Sequence, residues 1–290
     1  MSRPARTLRT PAIRGAHAPA AAVVAALVLS ACGTSADPSE GSVADGPGDD
    51  GTITVAVTPV PHATILEYVD TELAPEVGLD IRIVEFTDYV QPNVALDEGS
   101  VDANYYQHGV FLADQEKAGG YDFSGLGTIS FQPMGLYSET VTDLADLPAG
   151  ATVAIPNDPV NGSRGLKLLA AEGVITLADP DAPVPTVLDV VDNPRDLRFE
   201  EVEAAQLPRS LSDVDVAAVP GNYALEADLK PAEDALRVED TRDTTYANQL
   251  VVRSGDEHDP QVQQLLELLT SEEVRTFIDE TYDGAVVAAF

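Results

Sequence analysis

The sequence contains little of what builds a reactive centre or binds a polyanion. It has one cysteine, four histidines and no tryptophan. A single cysteine excludes an internal disulfide and any zinc site built from several cysteines. Lysine and arginine number 16 against 49 aspartate and glutamate, for a formal net charge of -33. A chain this acidic repels phosphate backbones and anionic lipid, which argues against nucleic acid as a partner.

The motifs that mark common enzyme sites are also missing. The sequence has no glycine-rich phosphate loop, no paired-histidine zinc motif, no serine nucleophile elbow and no dinucleotide fingerprint. His62, His108 and His258 are far apart in the chain and have no cysteine beside them, which is a poor basis for a metal site. We therefore expect a protein that is not an enzyme and that holds no cofactor or metal.

The first 32 residues have the features of an exported lipoprotein. Four arginines precede an apolar run from Ala18 to Leu29, which is too short to span a bilayer and is typical of a signal peptide. The run ends at Leu29-Ser-Ala-Cys32, a sequence that resembles the lipobox of bacterial lipoproteins. We expect residues 1–31 to be removed and Cys32 to be acylated, which would anchor the protein on the extracytoplasmic face of the cell membrane.

Residues 32–51 are predicted to form a flexible tether. Large apolar side chains are almost absent from this stretch, so it cannot bury enough surface to offset the entropy of ordering. A flexible segment of this length spans on the order of 25 Å. That reach would let a folded body move beside an anchored partner.

From Thr52 onward, strand patterns alternate with helical patterns. Ile53, Val55 and Val57 alternate as in a strand, and helical spacing follows from Ile65. Further strands are predicted at residues 81–84, 101–106, 152–156, 197–202 and 214–219, with a helix near 164–172. This alternation is typical of an α/β fold with parallel sheets. Residues 96–104 are loosely echoed at 211–218, which suggests two similar lobes.

The C-terminal region predicts one long helix that faces the core. Asp259 and Pro260 suit the N-cap and the first helical position. Apolar residues then follow on one stripe, at positions 262, 265, 266, 269, 274, 277 and 278.

Polar and aromatic side chains follow several of the predicted strands. Ligands of open parallel sheets bind beyond the carboxyl ends of the strands, so these side chains are candidates for a site. The guanidinium of Arg164 suits a carboxylate, since each charge-assisted hydrogen bond contributes about 1.5–3 kcal/mol. For each residue taken singly, the sequence favours a surface salt bridge for Arg164 and ordinary packing for Tyr89, Tyr106 and His108.

Five segments taken together resemble the methionine-binding lipoprotein family, often named MetQ or NlpA. The segments are Phe86-Thr-Asp-Tyr-Val-Gln-Pro-Asn93, Val101-Asp-Ala-Asn-Tyr-Tyr-Gln-His108, Val153-Ala-Ile-Pro-Asn-Asp-Pro159, Pro185-Thr-Val-Leu-Asp-Val-Val-Asp-Asn-Pro194 and Ala205-Gln-Leu-Pro-Arg-Ser210. The resemblance covers residues 52–290. It implies a bilobal type II periplasmic (solute)-binding fold, in which two parallel-rich sheets are joined by two crossovers near Leu136 and Ala247. Residues 52–136 plus 248–290 would form the first lobe, and residues 137–247 the second.

The resemblance also implies a ligand site between the lobes. The candidate ligand-binding residues are Tyr89, Tyr106, His108, Arg164, Asn222 and Asn248. The first three would surround a thioether, Arg164 would bind the ligand carboxylate, and Asn222 would bind the polar end of the ligand. Asn248 would sit at the return crossover. Tyr106 departs from the family pattern, in which Phe is common, so its hydroxyl bears on ligand preference.

The function implied is that of an extracytoplasmic lipoprotein. It would capture methionine and deliver it to the permease of an ABC importer, whose ATPase subunit drives transport. Three alternatives remain at this point. One is a receptor of the same fold for another amino acid, a dipeptide or a sulfonate. The second is a secreted hydrolase that uses His108 with Asp102 or a nearby serine, and the third is a lipoprotein with a structural or adhesive role.

Overall fold

The computed structural model describes residues 51–290. The predicted signal peptide, Cys32 and nearly all of the predicted tether lie outside the described residues. Among those that are described, every helix is too short or too polar to cross a membrane. The predicted α/β architecture with two main sheets is confirmed.

The first sheet has six strands. They are β1 (Thr52–Val57), β2 (Asp80–Glu85), β3 (Ala103–His108), β4 (Phe123–Phe131), β12 (Asn248–Arg253) and β13 (Val287–Ala288), in the spatial order β13-β4-β12-β3-β1-β2. The helices α1 (Thr64–Tyr68) and α2 (Ala74–Val77) connect β1 to β2, α3 (Gln91–Asp97) precedes β3, and α4 (Gly109–Gly119) follows it. The core of this half contains the alternating apolar residues of β1, as their pattern predicted.

The second sheet has five strands. They are β5 (Gly135–Tyr137), β6 (Thr152–Pro156), β9 (Arg198–Val202), β10 (Val216–Val219) and β11 (Ala235–Val238), in the order β11-β5-β10-β6-β9. Helix α5 (Pro159–Ala171) follows β6, α6 (Leu207–Ser210) precedes β10, and α7 (Gly221–Glu226) and α8 (Pro231–Asp234) follow it. A separate pair, β7 (Thr176–Leu177) and β8 (Val190–Asp192), forms a small hairpin-like sheet.

Both main sheets are mixed, so the prediction of parallel-rich sheets holds only for part of each. Strand β1 pairs in parallel with β2 and β3, and β6 pairs in parallel with β9 and β10. The remaining pairs are antiparallel, namely β12 with β3 and β4, β13 with β4, and β5 with β10 and β11. Helix and strand alternation predicted the parallel pairs. Strands β4, β5, β11 and β12 adjoin the places where the chain passes from one sheet to the other, whereas β13 lies at the C-terminal end.

The chain passes between the sheets twice. The first passage is residues 132–134, between β4 and β5, and the second is residues 239–247, between β11 and β12. Leu136 therefore lies within β5, and Ala247 directly precedes β12. The two passages are hydrogen-bonded to each other, because the Glu239 amide donates to the Met134 carbonyl at 3.0 Å.

The echo between residues 96–104 and 211–218 corresponds to a shared structural device. Asp102 precedes β3, its carboxylate accepts the Thr54 amide at 2.7 Å, and its own amide donates to the Thr54 carbonyl at 2.8 Å. Asp215 precedes β10 and makes the same two bonds with Thr152, at 2.7 and 3.0 Å. In both halves, one aspartate thus fixes the start of a strand against its parallel neighbour, β3 against β1 and β10 against β6.

The single C-terminal helix predicted from the sequence is wrong, because the structure has two. Helix α9 (Pro260–Leu269) begins at Asp259, whose carboxylate caps it as expected, and α10 (Glu272–Tyr282) begins at Ser271. The Ser271 hydroxyl accepts the Val274 amide at 3.3 Å, a bond that starts a new helix. The apolar stripe continues across this break, and both helices pack on the core of the first sheet.

Candidate functional site

A narrow cavity with about 20 Å³ of free space lies beyond the carboxyl ends of β3, β6 and β10. All six predicted site residues line it, together with Gln107, Phe111, Gln132, Asn161, Pro220, Gly221 and Tyr246. This free space is little more than the roughly 10–15 Å³ that one water molecule needs. The structure therefore brings the predicted residues together around one narrow space.

Arg164 enters the cavity from α5. Asp158 is the N-cap of this helix, and its carboxylate accepts the Asn161 amide at 2.8 Å. Gly162 is required in the first turn, since a Cβ there would lie 2.7 Å from the Pro156 carbonyl oxygen. The guanidinium is 5% exposed and lies over the Tyr246 ring, 4.4 Å from its centroid. Arg164 is thus held inside the protein, and the alternative of a surface salt bridge is wrong.

The guanidinium already has a carboxylate partner, which the sequence did not predict. Its Nε and Nη2 atoms donate to Glu239 at 3.0 and 2.6 Å, and Nη1 donates to Asn161 Oδ1 at 3.2 Å. Burial lowers the pKa of Arg164, but the Glu239 carboxylate more than offsets this, so the pKa is raised. Arginine carries five N–H groups. Two therefore have no acceptor among the described residues, one on each terminal nitrogen, and these can meet a ligand.

His108 ends β3 and caps α4. Its Nδ1 accepts the Phe111 amide at 3.2 Å, so the ring proton must reside on Nε2 in the neutral form. Burial, reinforced by the charge of Arg164, holds the His108 pKa well below its usual value. The buried Nε2 has no hydrogen-bond partner among the described residues. His108 therefore offers a neutral N–H donor to the cavity.

Asn222 and Tyr89 meet across the space between the two sheets. Tyr89 follows β2 of the first sheet, whereas Asn222 lies on α7, which follows β10 of the second. The Tyr89 hydroxyl donates to Asn222 Oδ1 at 2.5 Å, and burial raises the Tyr89 pKa far above its usual value. Asn222 Nδ2 is buried without a partner in the described part of the chain. It is a second donor that faces no protein acceptor.

A close approach of backbones positions Asn222. Gly221 precedes it, and a Cβ at this position would lie 2.6 Å from the Pro133 carbonyl oxygen. Any larger residue would therefore push α7 away from the first passage between the sheets. The glycine allows the start of α7 to reach the cavity wall.

Asn248 begins β12 and presents an acceptor instead. Its Nδ2 donates to His62 Nε2 at 2.7 Å and to Gln132 Oε1 at 2.8 Å. His62 Nδ1 is 2.6 Å from the Thr58 hydroxyl, and since Nε2 accepts, Nδ1 carries the proton. Burial lowers the pKa of His62 to about 3. With both amide protons engaged, Asn248 is left with Oδ1, which has no donor among residues 51–290.

The remaining wall of the cavity is aromatic. Tyr106 and Phe111 pack with Val160 of α5, and Tyr89 packs on Tyr106 and Phe111 with ring centroids 6.0 and 5.8 Å apart. The Tyr106 hydroxyl donates to the Tyr89 carbonyl at 2.9 Å. The hydroxyl is thus satisfied within the protein.

The hydrolase alternative that pairs His108 with Asp102 is contradicted. Asp102 precedes β3 and His108 ends it, which separates them by about 20 Å at the usual rise of a strand. Asp102 is also committed to the Thr54 amide and lies 3.9 Å from Arg253. It cannot orient the His108 ring.

Several lining residues were missed by sequence reasoning. Asn161 lies three residues before Arg164, and Tyr246 directly precedes Ala247 and Asn248, so proximity to candidates was the available signal. Gln132 carried no such signal, and neither did Glu239, which binds Arg164 from outside the cavity. Each belongs to a passage between the sheets that no pattern marks.

Comparison with known proteins relates this fold and site to one family. The model of the NlpA lipoprotein family matches residues 53–290. Membrane lipoprotein TpN32 of Treponema pallidum is 40% identical over 82% of this chain and 88% of its own length. The D-methionine-binding lipoprotein MetQ of Escherichia coli is 41% identical over 72% of this chain and 78% of its own.

A solved structure gives the same relation. A nutrient binding protein from Burkholderia cenocepacia, bound to methionine, is 42% identical, covers 82% of this chain with all of its own, and superposes with a TM-score of 0.79. The family match spans both sheets and every residue of the cavity. This chain belongs to the NlpA lipoprotein family.

Proposed function

We propose that this protein is a non-enzymatic receptor on the extracytoplasmic face of the cell membrane, which captures methionine in the cavity and delivers it to an ABC importer. The observation that carries the proposal is the set of unpaired polar groups around one small cavity. The arginine N–H groups, His108 Nε2 and Asn222 Nδ2 are donors, whereas Asn248 Oδ1 is an acceptor. A relative named D-methionine-binding lipoprotein MetQ and a similar nutrient binding protein solved with bound methionine support the choice of ligand.

These groups suit the two charged ends of an amino acid. A carboxylate needs several donors, and we propose that Arg164, His108 and Asn222 supply them. The ammonium would donate to Asn248 Oδ1. Micromolar affinity requires about 8 kcal/mol, which a few charge-assisted bonds at about 1.5–3 kcal/mol each can supply together with a desolvated side chain.

The thioether would lie against the aromatic wall. Sulfur near ring edges is favourable by about 0.3–1.5 kcal/mol, and Tyr106 and Phe111 meet nearly edge to face, at 77°. Since the Tyr106 hydroxyl is bound to the Tyr89 carbonyl, it need not polarise the space for the side chain.

Closure of two lobes around the ligand is part of the proposal. Residues 52–134 plus 248–290 would form one lobe and residues 135–247 the other, which moves the boundary predicted at Leu136 because β5 lies in the second sheet. The Tyr89–Asn222 bond and a bond from the Tyr223 hydroxyl to the Thr87 carbonyl, at 3.2 Å, join the two sides at the cavity. A ligand that binds the closed form better shifts the population toward it, and that form would dock on the permease. Acylated Cys32 would hold the protein at the membrane.

A panel of solutes tests this function. The melting temperature of the full-length protein in detergent is measured with L-methionine, norleucine, leucine, glycyl-methionine and taurine. We expect methionine to raise it most, and norleucine less, since norleucine replaces the sulfur by a methylene. A larger rise with taurine, the dipeptide or leucine than with methionine would reject methionine as the ligand.

A further inference from the structure

Arg164 lies between the cavity and a carboxylate that does not itself line the cavity. Glu239 takes two of the guanidinium N–H groups, at 3.0 and 2.6 Å, and its side chain is 14% exposed. It lines a neighbouring depression with Arg164 and Tyr246. Arg164 thus faces the cavity on one side and the Glu239 carboxylate on the other.

The Glu239 carboxylate is fixed in this position. Its Oε2 also accepts the Met134 amide at 2.7 Å, while the Glu239 amide donates to the Met134 carbonyl at 3.0 Å. These bonds attach the residue to the other passage between the sheets. The carboxylate is therefore built in, and a ligand does not have to displace a mobile side chain.

The pair leaves the cavity without a net positive charge. Arg164 is the one Lys, Arg, Asp or Glu side chain among the described residues that line the cavity, and its charge is matched by Glu239. His108 is neutral because burial holds its pKa well below the usual value. The other nearby acid, Asp158, caps α5 and bonds to the Asn161 amide and side chain. No uncompensated cation remains there to attract an anion.

We infer that Glu239 is a specificity-determining residue, which makes the site prefer a zwitterionic amino acid over an anion of the same shape. The inference rests on the proposed function and deepens it. An unopposed guanidinium would favour sulfonates and hydroxy acids, because they bring a negative charge with no ammonium. With Glu239 behind the arginine, an anion leaves the site with excess negative charge, whereas a zwitterion leaves it neutral.

The test compares Glu239→Gln with the wild type, using the full-length protein in detergent. Gln keeps the size of the side chain and an acceptor for Arg164 but removes the charge. The probes are L-methionine and its 2-hydroxy analogue, 2-hydroxy-4-(methylthio)butanoate, which has a hydroxyl in place of the ammonium. Titration calorimetry gives the ratio of the two dissociation constants. We expect the wild type to bind methionine more tightly than the hydroxy analogue. In E239Q the ratio of the two dissociation constants should fall about tenfold, because the variant loses the negative charge that lies a few ångströms from the ligand in a partly buried site.

Two further variants separate charge from structure. Glu239→Asp keeps the charge, and its ratio should stay within about twofold of the wild type. Glu172→Gln removes the carboxylate of a second Arg–Glu pair, with Arg237, which lies outside the cavity. This variant should leave the ratio unchanged.

Each outcome decides the inference. Equal affinities of the wild type for both probes would overturn it without any variant, and so would an unchanged ratio in a folded E239Q. A ratio that falls as far in E239D as in E239Q would also overturn it. If the wild type binds neither probe while folded, the proposed function fails instead.

Discussion

The Tyr89 hydroxyl offers a direct test of closure, because it joins the two sides of the cavity without forming part of the core. Tyr89→Phe removes the oxygen that donates to Asn222 Oδ1 at 2.5 Å. The ring remains, and so do its contacts with Tyr106, Phe111 and Tyr223 at centroid distances of 5.0–6.0 Å. The change is therefore confined to one hydrogen bond.

The size of the expected loss of affinity follows from the burial of the acceptor, Asn222 Oδ1. Asn222 is 5% exposed, so its Oδ1 would be left in the closed form without a donor or water. An unsatisfied buried acceptor costs about 1–3 kcal/mol. In an open form, water would satisfy the same oxygen, so the cost falls on the closed, liganded state. The dissociation constant for methionine should rise about 5- to 150-fold, at about 1.4 kcal/mol per factor of ten.

Titration calorimetry with L-methionine measures the rise in the dissociation constant. Thermal melting without ligand checks whether the variant is as stable as the wild type. The melting temperature of the ligand-free protein should change little. Tyr223→Phe is the matched control, because its hydroxyl spans the same gap to the Thr87 carbonyl with a longer bond of 3.2 Å, and its effect should be smaller. An unchanged dissociation constant in Y89F, or an equal loss of stability without ligand, would refute the reasoning.

Three further changes have distinct expected results. Arg164→Lys keeps the charge but loses the planar set of donors, and it should weaken methionine binding about 10- to 150-fold by calorimetry, from the loss of one charge-assisted bond worth about 1.5–3 kcal/mol. The folded-state pKa of His62 is about 3, below the usual 6.5, so the unfolded chain binds more protons between these values and the free energy of unfolding should fall as the pH drops below 6.5. His62 accounts for about 2 kcal/mol of this loss at pH 5, at about 1.4 kcal/mol per pH unit, so urea unfolding should show a loss that is smaller by this amount in His62→Gln than in the wild type. His108, whose pKa is also lowered by burial, contributes to the loss in both proteins. Cys32→Ser should move the protein from the membrane fraction to the soluble fraction, since its acidic surface gives no other attraction to anionic lipid.

Each of these changes has a control. Arg237→Lys alters an arginine outside the cavity and should leave methionine affinity within about twofold. An equal loss of affinity in Arg164→Lys and Arg237→Lys would contradict a specific role of Arg164 in binding. His258→Gln changes an exposed histidine and should retain the acid-induced loss of stability. An identical pH dependence in the wild type and H62Q would contradict the buried neutral histidine. Retention of C32S in the membrane fraction would contradict the lipid anchor.

The parts of the fold that could be predicted are those with a local signature. Strand β6 has the predicted bounds, Thr152–Pro156, because a short apolar run between a turn and a capped helix leaves few alternatives. The break between α9 and α10 was missed because the apolar stripe continues across Ser271. The serine followed by two glutamates was the local signal for a second helix start, and it was outweighed by the periodicity.

The site residues that could be predicted are likewise those with a local signature in the sequence. His108 and Asn222 could be chosen because each closely follows a strand, at the edge where ligands bind. Glu239 could not, because it is one of 49 acidic residues, lies 75 positions from Arg164, and comes to it only through the second passage between the sheets. The charge of a site depends on such distant partners, so the arginine was predictable and its neutralisation was not.

The most direct test of the account is a titration of the full-length protein with L-methionine and with methioninol, which lacks the carboxylate. We expect saturable binding of one methionine per chain with a micromolar or tighter dissociation constant, and no measurable binding of methioninol. Methionine that fails to saturate a folded protein, or methioninol that binds as well, would contradict the assignment of the cavity donors to a ligand carboxylate.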